Sequence, residues 1–147
     1  MRIIGVIGAS VIDKNTYDLA FRVGELIAES AAILICGGLT GVMEAACKGA
    51  KTRGGITIGI LPGREISEAN SWVDYPIATG LGEARNLAII NTANALIAIS
   101  GAYGTLSEIA FALKAHKKVY GLGTWDIDGV IKCDTPEIAV SNTLINK

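Results

Sequence analysis

Residues 32–51 read Ala32-Ile33-Leu34-Ile35-Cys36, then Gly37-Gly38-Leu39-Thr40-Gly41, then Val42-Met43-Glu44-Ala45-Ala46-Cys47-Lys48-Gly49-Ala50-Lys51. An apolar run, a glycine-rich turn and an alanine-rich helix follow one another without a linker. A strand that is apolar at every position is buried on both faces, the mark of a parallel sheet clad by helices on both sides.

The pattern repeats outward in both directions. Residues 3–8, 55–61, 75–79, 95–100 and 118–122 read as further strands, and residues 16–29, 41–51, 83–92 and 105–115 as helices. Leu19, Val23, Leu26 and Ile27 mark one face of the first helix. Residues 62–74 break the alternation with Pro62-Gly63 and Asn70-Ser71 and read as a loop. Thr135-Pro136 opens a last helix, threonine as cap and proline at the first helical position. The expected architecture is a Rossmann-like three-layer α/β/α domain over residues 1–147, with a mostly parallel sheet of about six or seven strands.

Composition narrows the ligand. Half of the 147 residues are hydrophobic and mean hydropathy is +0.44, so the chain can build a sizeable core. Thirteen basic residues balance fourteen acidic ones with no basic run, which gives no case for nucleic acid or membrane as partner. Residues 1–8 are too short and interrupted for a signal peptide, and nothing approaches a membrane span. Cys36, Cys47 and Cys133 are odd in number and irregular in spacing, with no histidine near, so they read as reduced buried thiols in a cytoplasmic protein rather than a metal site. His116, the one histidine, sits among lysines at a helix end, where positive charge is favoured. The high apolar fraction of so small a chain also points to a homo-oligomer, a dimer or tetramer.

In sheets of this kind ligands sit outside the carboxyl ends of the strands, where strand order reverses. Four segments qualify. Gly37, Gly38, Thr40 and Gly41 form a turn that lets backbone N–H groups approach an oxyanion at a helix N-terminus; its bland counterpart is a tight turn with Thr40 as helix cap. Gly101, Gly104 and Thr105 repeat the logic, while Thr105-x-x-Glu108 also fits a capping box, and the sequence leaves both roles open. Arg85 stands in the first turn of a helix, against the macrodipole, where a bound phosphate would compensate it. Ser10 follows the first strand and either contacts a ligand or caps a turn. Neither G-x-G-x-x-G nor G-x-x-x-x-G-K-[ST] occurs, so the two commonest nucleotide motifs are absent.

Residues 37–46 and 100–108, with Glu83-Ala84-Arg85-Asn86 between them, resemble the paired glycine motifs and intervening arginine of the Lonely Guy or "lysine decarboxylase-like" superfamily, nearest to its short molybdenum cofactor carrier branch. The resemblance implies a Rossmann-like fold, dimers or larger assemblies, and, among the Lonely Guy enzymes, hydrolysis of the N-glycosidic bond of a nucleoside 5′-monophosphate. It makes Arg85 and Glu108 the catalytic pair and residues 101–105 the phosphate turn. Glu108 would stabilise an oxocarbenium ion or orient water, chemistry that needs a carboxylate near the anomeric carbon. Two departures from the enzyme pattern are Ser100 in place of proline and Ala102 in place of glycine. The expectation is a small phosphorylated ligand, either a nucleotide monophosphate or a molybdopterin-type cofactor. Carrier, phosphoribohydrolase and ligand-free structural or regulatory domain all remain open, and no metal is expected.

Overall fold

The computed structural model describes residues 1–145. Seven strands form one sheet: β1 (Ile3–Gly8), β2 (Ile33–Cys36), β3 (Ile56–Leu61), β4 (Tyr75–Ala78), β5 (Ala95–Ile99), β6 (Val119–Leu122) and β7 (Val130–Lys132). Every pairing is parallel, in the order β4-β3-β2-β1-β5-β6-β7. The chain winds outward from β1 to β4, returns to pair β5 with β1, and winds outward the other way. This is the Rossmann-like three-layer arrangement expected from the alternating pattern.

Five helices cover the sheet: α1 (Lys14–Glu29), α2 (Val42–Thr52), α3 (Asn86–Thr92), α4 (Tyr103–Lys114) and α5 (Pro136–Ile145). Successive strand residues point to opposite faces. Ile4, Val6, Leu34, Ile97 and Ile99 therefore pack under α1, α2 and α5, and Ile7, Ile35, Leu96 and Ala98 under α3 and α4. All five residues of β5 are buried, as the central apolar run requires.

Local signals set most boundaries. Asp13 caps α1, its carboxylate accepting from the Thr16 amide at 2.8 Å, so the helix starts two residues before the apolar periodicity does. Thr135 caps α5 as expected, with Oγ1 accepting from the Ile138 amide at 3.2 Å. β7 is three residues long and lies outside the sequence reading because Asp126, Asp128 and Gly129 break any apolar pattern before it. The 62–74 loop holds one 3-10 turn, Ile66–Glu68.

The α1–α2 crossing brings two backbones together at glycines. A Cβ on Gly24 would strike the Ala46 carbonyl, and one on Gly49 the Phe21 carbonyl. Neither obstacle is a flexible side chain, so the helices would have to move apart. Gly24→Val is expected to cost about 3 kcal/mol, the upper range for overpacking. Urea unfolding followed by circular dichroism checks this; an unchanged midpoint would mean that the helices separate freely.

Candidate functional site

The reversal of strand order between β1 and β5 leaves a crevice at their carboxyl ends, and a cavity of about 450 Å³ fills it. Four segments wall it. The β1–α1 loop gives Gly8 to Val11, and the β2–α2 segment gives Gly37, Leu39 and Met43. The approach to α3 gives Glu83, Arg85 and Asn86, and the start of α4 gives Ala102, Gly104, Thr105 and Glu108. The volume lies within the usual range for small-molecule sites.

Arg85 ends a short 3-10 turn, Gly82–Arg85, directly before α3. Its side chain is carried inward and only 8 % of the residue is exposed. Nη2 donates to the Gly37 carbonyl at a long 3.4 Å, and Nε is buried with no partner. Gly37 makes this possible, since a Cβ there would strike the guanidinium and stand 2.8 Å from Met43 Sδ. Burial pulls the guanidinium below its ordinary pKa, opposed by the charges of Glu108, Cys36 and Glu83. An arginine still stays charged at any physiological pH. A buried cation with an unsatisfied donor is costly unless something pairs with it.

Glu108 sits one turn into α4. Burial pushes its carboxyl up to about 7, with Arg85 lowering it and Glu83 raising it further. No contact ion pair joins Glu108 to Arg85 among the described residues. Near neutral pH this group is poised between acceptor and donor.

The two glycine turns are built differently. In the first, Gly38 and Gly41 have φ of +75° and +69°, which only glycine adopts without strain. The Gly38 amide donates to Cys36 Sγ at 3.4 Å. The Val42 amide donates to the Ala9 carbonyl at 3.0 Å, and Thr40 Oγ1 to the Ser10 carbonyl at 3.1 Å. Thr40 is thus a strut between two loops, not a helix cap; the cap position is Gly41, with no side-chain bond. Gly38, Thr40 and Gly41 shape this wall from behind, and Gly37 and Ser10 reach the cavity.

In the second turn the capping box that the Thr105-x-x-Glu108 spacing allows, one of the two roles left open, does not form. The helix starts at Tyr103, so Thr105 is its third residue, buried, and the cap position Ala102 offers no side-chain bond. The strand lead-in, not the threonine, decides the start. Ser100 at φ +54° and Gly101 at φ +117° turn the chain sharply enough to begin the helix two residues early. Gly101 packs on the Thr105 side chain and does not line the cavity. The first-turn amides of α4 have no intrahelical partner and no cap, and Gly104 and Thr105 line the cavity.

Gly104 has no steric reason to be glycine in the protein itself. A Cβ there would meet nothing within 4 Å. Glycine near a helix start gives up stability that alanine would supply. The backbone at Gly104 therefore lies open to the cavity.

Thr124 and Trp125, just after β6, were not picked out by motif reasoning. Thr124 Oγ1 donates to the Ser100 carbonyl at 2.6 Å and Trp125 Nε1 to the Ala102 carbonyl at 3.0 Å, while the indole stacks on Tyr103. They brace the second turn from the β6 side. Their position after a strand end was the available signal. Leu39, inside the first glycine turn, and Met43, on the first turn of α2, also line the cavity, and no motif marks either as a site residue.

Cys36 and Cys47 are buried thiols with Sγ atoms 3.5 Å apart, and Cys133 is buried and free as well. The hydrogen bond with Cys36 and burial hold the Cys47 thiol far above its ordinary pKa.

The model of the SLOG cluster4 family matches residues 1–143. The chain belongs to this family. An uncharacterized protein of Archaeoglobus fulgidus is 52 % identical over 139 residues, covering 94 % of this chain and 91 % of its own length. A probable cytokinin riboside 5′-monophosphate phosphoribohydrolase of Oryza sativa subsp. japonica is 31 % identical over 133 residues, covering 83 % of this chain but 57 % of the plant protein. Among solved structures, the molybdenum cofactor binding protein of Rippkaea orientalis superposes with a TM-score of 0.91 at 36 % identity, over 99 % of this chain and 98 % of its own. The molybdenum cofactor carrier protein of Chlamydomonas reinhardtii gives 0.90 at 38 %, over 99 % of both chains. The family resemblance carried by the two glycine turns is borne out, and so is the fold.

Two outcomes test this SLOG cluster4 site. Gly104→Ala should stabilise the empty protein by roughly 0.5 kcal/mol while weakening retention of any ligand that needs the backbone there. Equal retention with higher stability would remove the ligand explanation. Glu108 titrates near 7 folded and at about 4.3 unfolded. Its raised pKa means that neutral Glu108 costs nothing below pH 4, and stability is lost as pH rises to 7. Glu108→Gln should therefore match wild type at pH 4 and exceed it by about 1–3 kcal/mol at pH 8. Thermal unfolding across that range reads the difference; parallel curves would mean that Glu108 is not desolvated.

Proposed function

We propose that this protein binds a small phosphorylated ligand, a pterin-type cofactor or a nucleotide monophosphate, and acts as a carrier of it. The observation that carries the reading is convergence. A buried arginine with an unpartnered Nε and an uncapped helix N-terminus meet at one cavity, on the crevice side of a switch point. Each alone favours an anion; together they offer a phosphate a planar cation and free amides. Leu39 and Met43 supply an apolar surface for a ring. Two solved relatives over essentially the whole chain are a molybdenum cofactor binding and a molybdenum cofactor carrier protein. The ligand here is cargo, and phosphate-binding residues are proposed as Arg85, Gly37, Gly104 and Thr105, with Ser10 at the rim.

A second reading has its own observation. Glu108 lies in the same cavity as Arg85, the arrangement a phosphoribohydrolase needs beside an anomeric carbon. The plant relative is a probable enzyme of that kind. In that reading Glu108, ionised above about 7, stabilises the oxocarbenium ion. Arg85 holds the phosphate. Residues 1–147 are taken as one domain in either case. Three free thiols suit the reducing cytoplasm, and among the described residues no helix is long and apolar enough to cross a membrane.

Native mass spectrometry of protein purified from a molybdopterin-producing host should find a phosphorylated small molecule bound. Arg85→Ala should weaken binding about 30- to 150-fold, the worth of a charge-assisted contact at ~2–3 kcal/mol. Unchanged affinity would refute the phosphate assignment. Incubation with AMP and related monophosphates separates the readings. Binding without release of free base supports the carrier; base release that Glu108→Gln abolishes supports the hydrolase.

A further inference from the structure

Charge is confined to one side of the cavity. The sheet separates a layer of α1, α2 and α5 from a layer of α3 and α4, and the crevice opens across the sheet edge between them. Among the described residues, the charged side chains of the lining are Glu83, Arg85 and Glu108, which come from the approach to α3 and from α4. The opposite wall is built by residues 8–11 and by Gly37, Leu39 and Met43. None of these is charged, and only Ser10 has a polar side chain.

Val11 is the exposed part of that wall. The loop that carries it is pinned on both flanks. The Ala9 carbonyl accepts from the Val42 amide and the Ser10 carbonyl from Thr40 Oγ1, while Ile12 packs against the α1–α2 core and Asp13 caps α1. Between these anchors Val11 is turned outward and is 89 % exposed. A single exposed apolar side chain is ordinary. This one lines a cavity, on a loop the fold holds in place, and shares its wall with Leu39 and Met43.

A ligand seated between the walls meets different chemistry on each. Its anionic end belongs with Arg85 and the uncapped start of α4. The far wall offers no cation, so a second phosphate or a carboxylate placed there would lose water without gaining a partner. An apolar face suits it. A flat heteroaromatic ring suits it better than a hydrocarbon chain on two counts. The Met43 thioether makes favourable contacts with aromatic rings, and the Ser10 hydroxyl can bond the polar edge of a ring, which a chain lacks. Tyr103, the exposed aromatic at the start of α4, is stacked on Trp125 and does not line the cavity.

We propose that Val11, Leu39 and Met43 form a ring subsite with Val11 as its specificity-determining residue, and that the ligand is a neutral flat heterocycle with one phosphate end. This rests on the phosphate reading of the cavity and adds which wall takes the ring.

Isothermal titration calorimetry of the intact protein with AMP, GMP and ribose 5-phosphate tests it. GMP shares the aminopyrimidinone ring of a pterin; ribose 5-phosphate keeps the phosphate and has no ring. Wild type should bind a nucleotide roughly tenfold or more tightly than ribose 5-phosphate. Val11→Asn, a neutral change at an exposed position, should cut nucleotide affinity about five- to tenfold and spare ribose 5-phosphate. Val11→Ile, which keeps the apolar face, should retain nucleotide affinity, and Arg85→Ala should weaken all three probes. Three results would overturn the ring subsite while Arg85 dependence keeps the phosphate reading. They are equal affinity of wild type for all probes, a Val11→Asn variant that affects none or all of them alike, and loss of nucleotide preference in Tyr103→Ala instead. No binding of any probe, or binding indifferent to Arg85→Ala, would overturn both.

Discussion

A sheet whose strands all run parallel has to be buried on both faces, and most of this molecule follows from that constraint. The crossovers supply the cover: α1 and α2 on one side as the chain winds to β4, and α3 and α4 on the other as it winds back. The layers close only if helices approach closely, which Gly24 and Gly49 permit. Where the winding reverses, the helices diverge and no cover exists, and the cavity lies there. Where the short α3 runs out, the sheet is bare at Ile56, Tyr75 and Ile77. Cavity and uncovered face are two consequences of a single constraint.

At the cavity the protein holds polar groups it does not satisfy. Most buried polar atoms in a folded chain find partners. Arg85 Nε does not, and the first turn of α4 lacks a cap. Placing an arginine there uses Gly37 to make room and the carboxyls of Glu108 and Glu83 to offset its charge. A design for stability alone would pair the guanidinium directly. Instead it stands without a contact ion pair, its Nε unpartnered and its Nη2 held only by a long bond to the Gly37 carbonyl.

The alternation of apolar runs and glycine turns made the sheet and its cover legible, because burial on both faces writes itself as unbroken runs. Six strands and all five helices are visible in that way. β7 is not, since a three-residue edge strand buries too little to leave a pattern. The site was legible as turns but not as roles. Gly37 and Gly41 look alike in sequence, yet one makes room for Arg85 and the other stitches two loops. Thr105 and Glu108 carry the spacing of a capping box, and only the turn at Ser100 and Gly101 decides that the helix starts earlier. Trp125 could be read only as a residue after a strand end, not in its role, which is a hydrogen bond to a carbonyl 23 residues away.

The two functional readings make opposite demands on one proton. Binding an anion beside Arg85 is easiest with Glu108 neutral, when it adds no negative charge and can donate a hydrogen bond. Cleaving a glycosidic bond needs the same group ionised, facing a developing positive charge. Burial pushes Glu108 up to about 7, so both states are accessible at neutral pH, and a bound ligand would decide between them. A dianionic phosphate pushes the carboxyl further up and favours retention; a ring carbon becoming cationic pulls it down and favours reaction. Carrier and hydrolase then differ less in which residues they hold than in where the sugar or pterin ring sits relative to one carboxyl. Ala102, at the entry to α4 where the enzyme motif has glycine, adds a methyl group to the cavity wall, and it is there that such a difference in placement would be set.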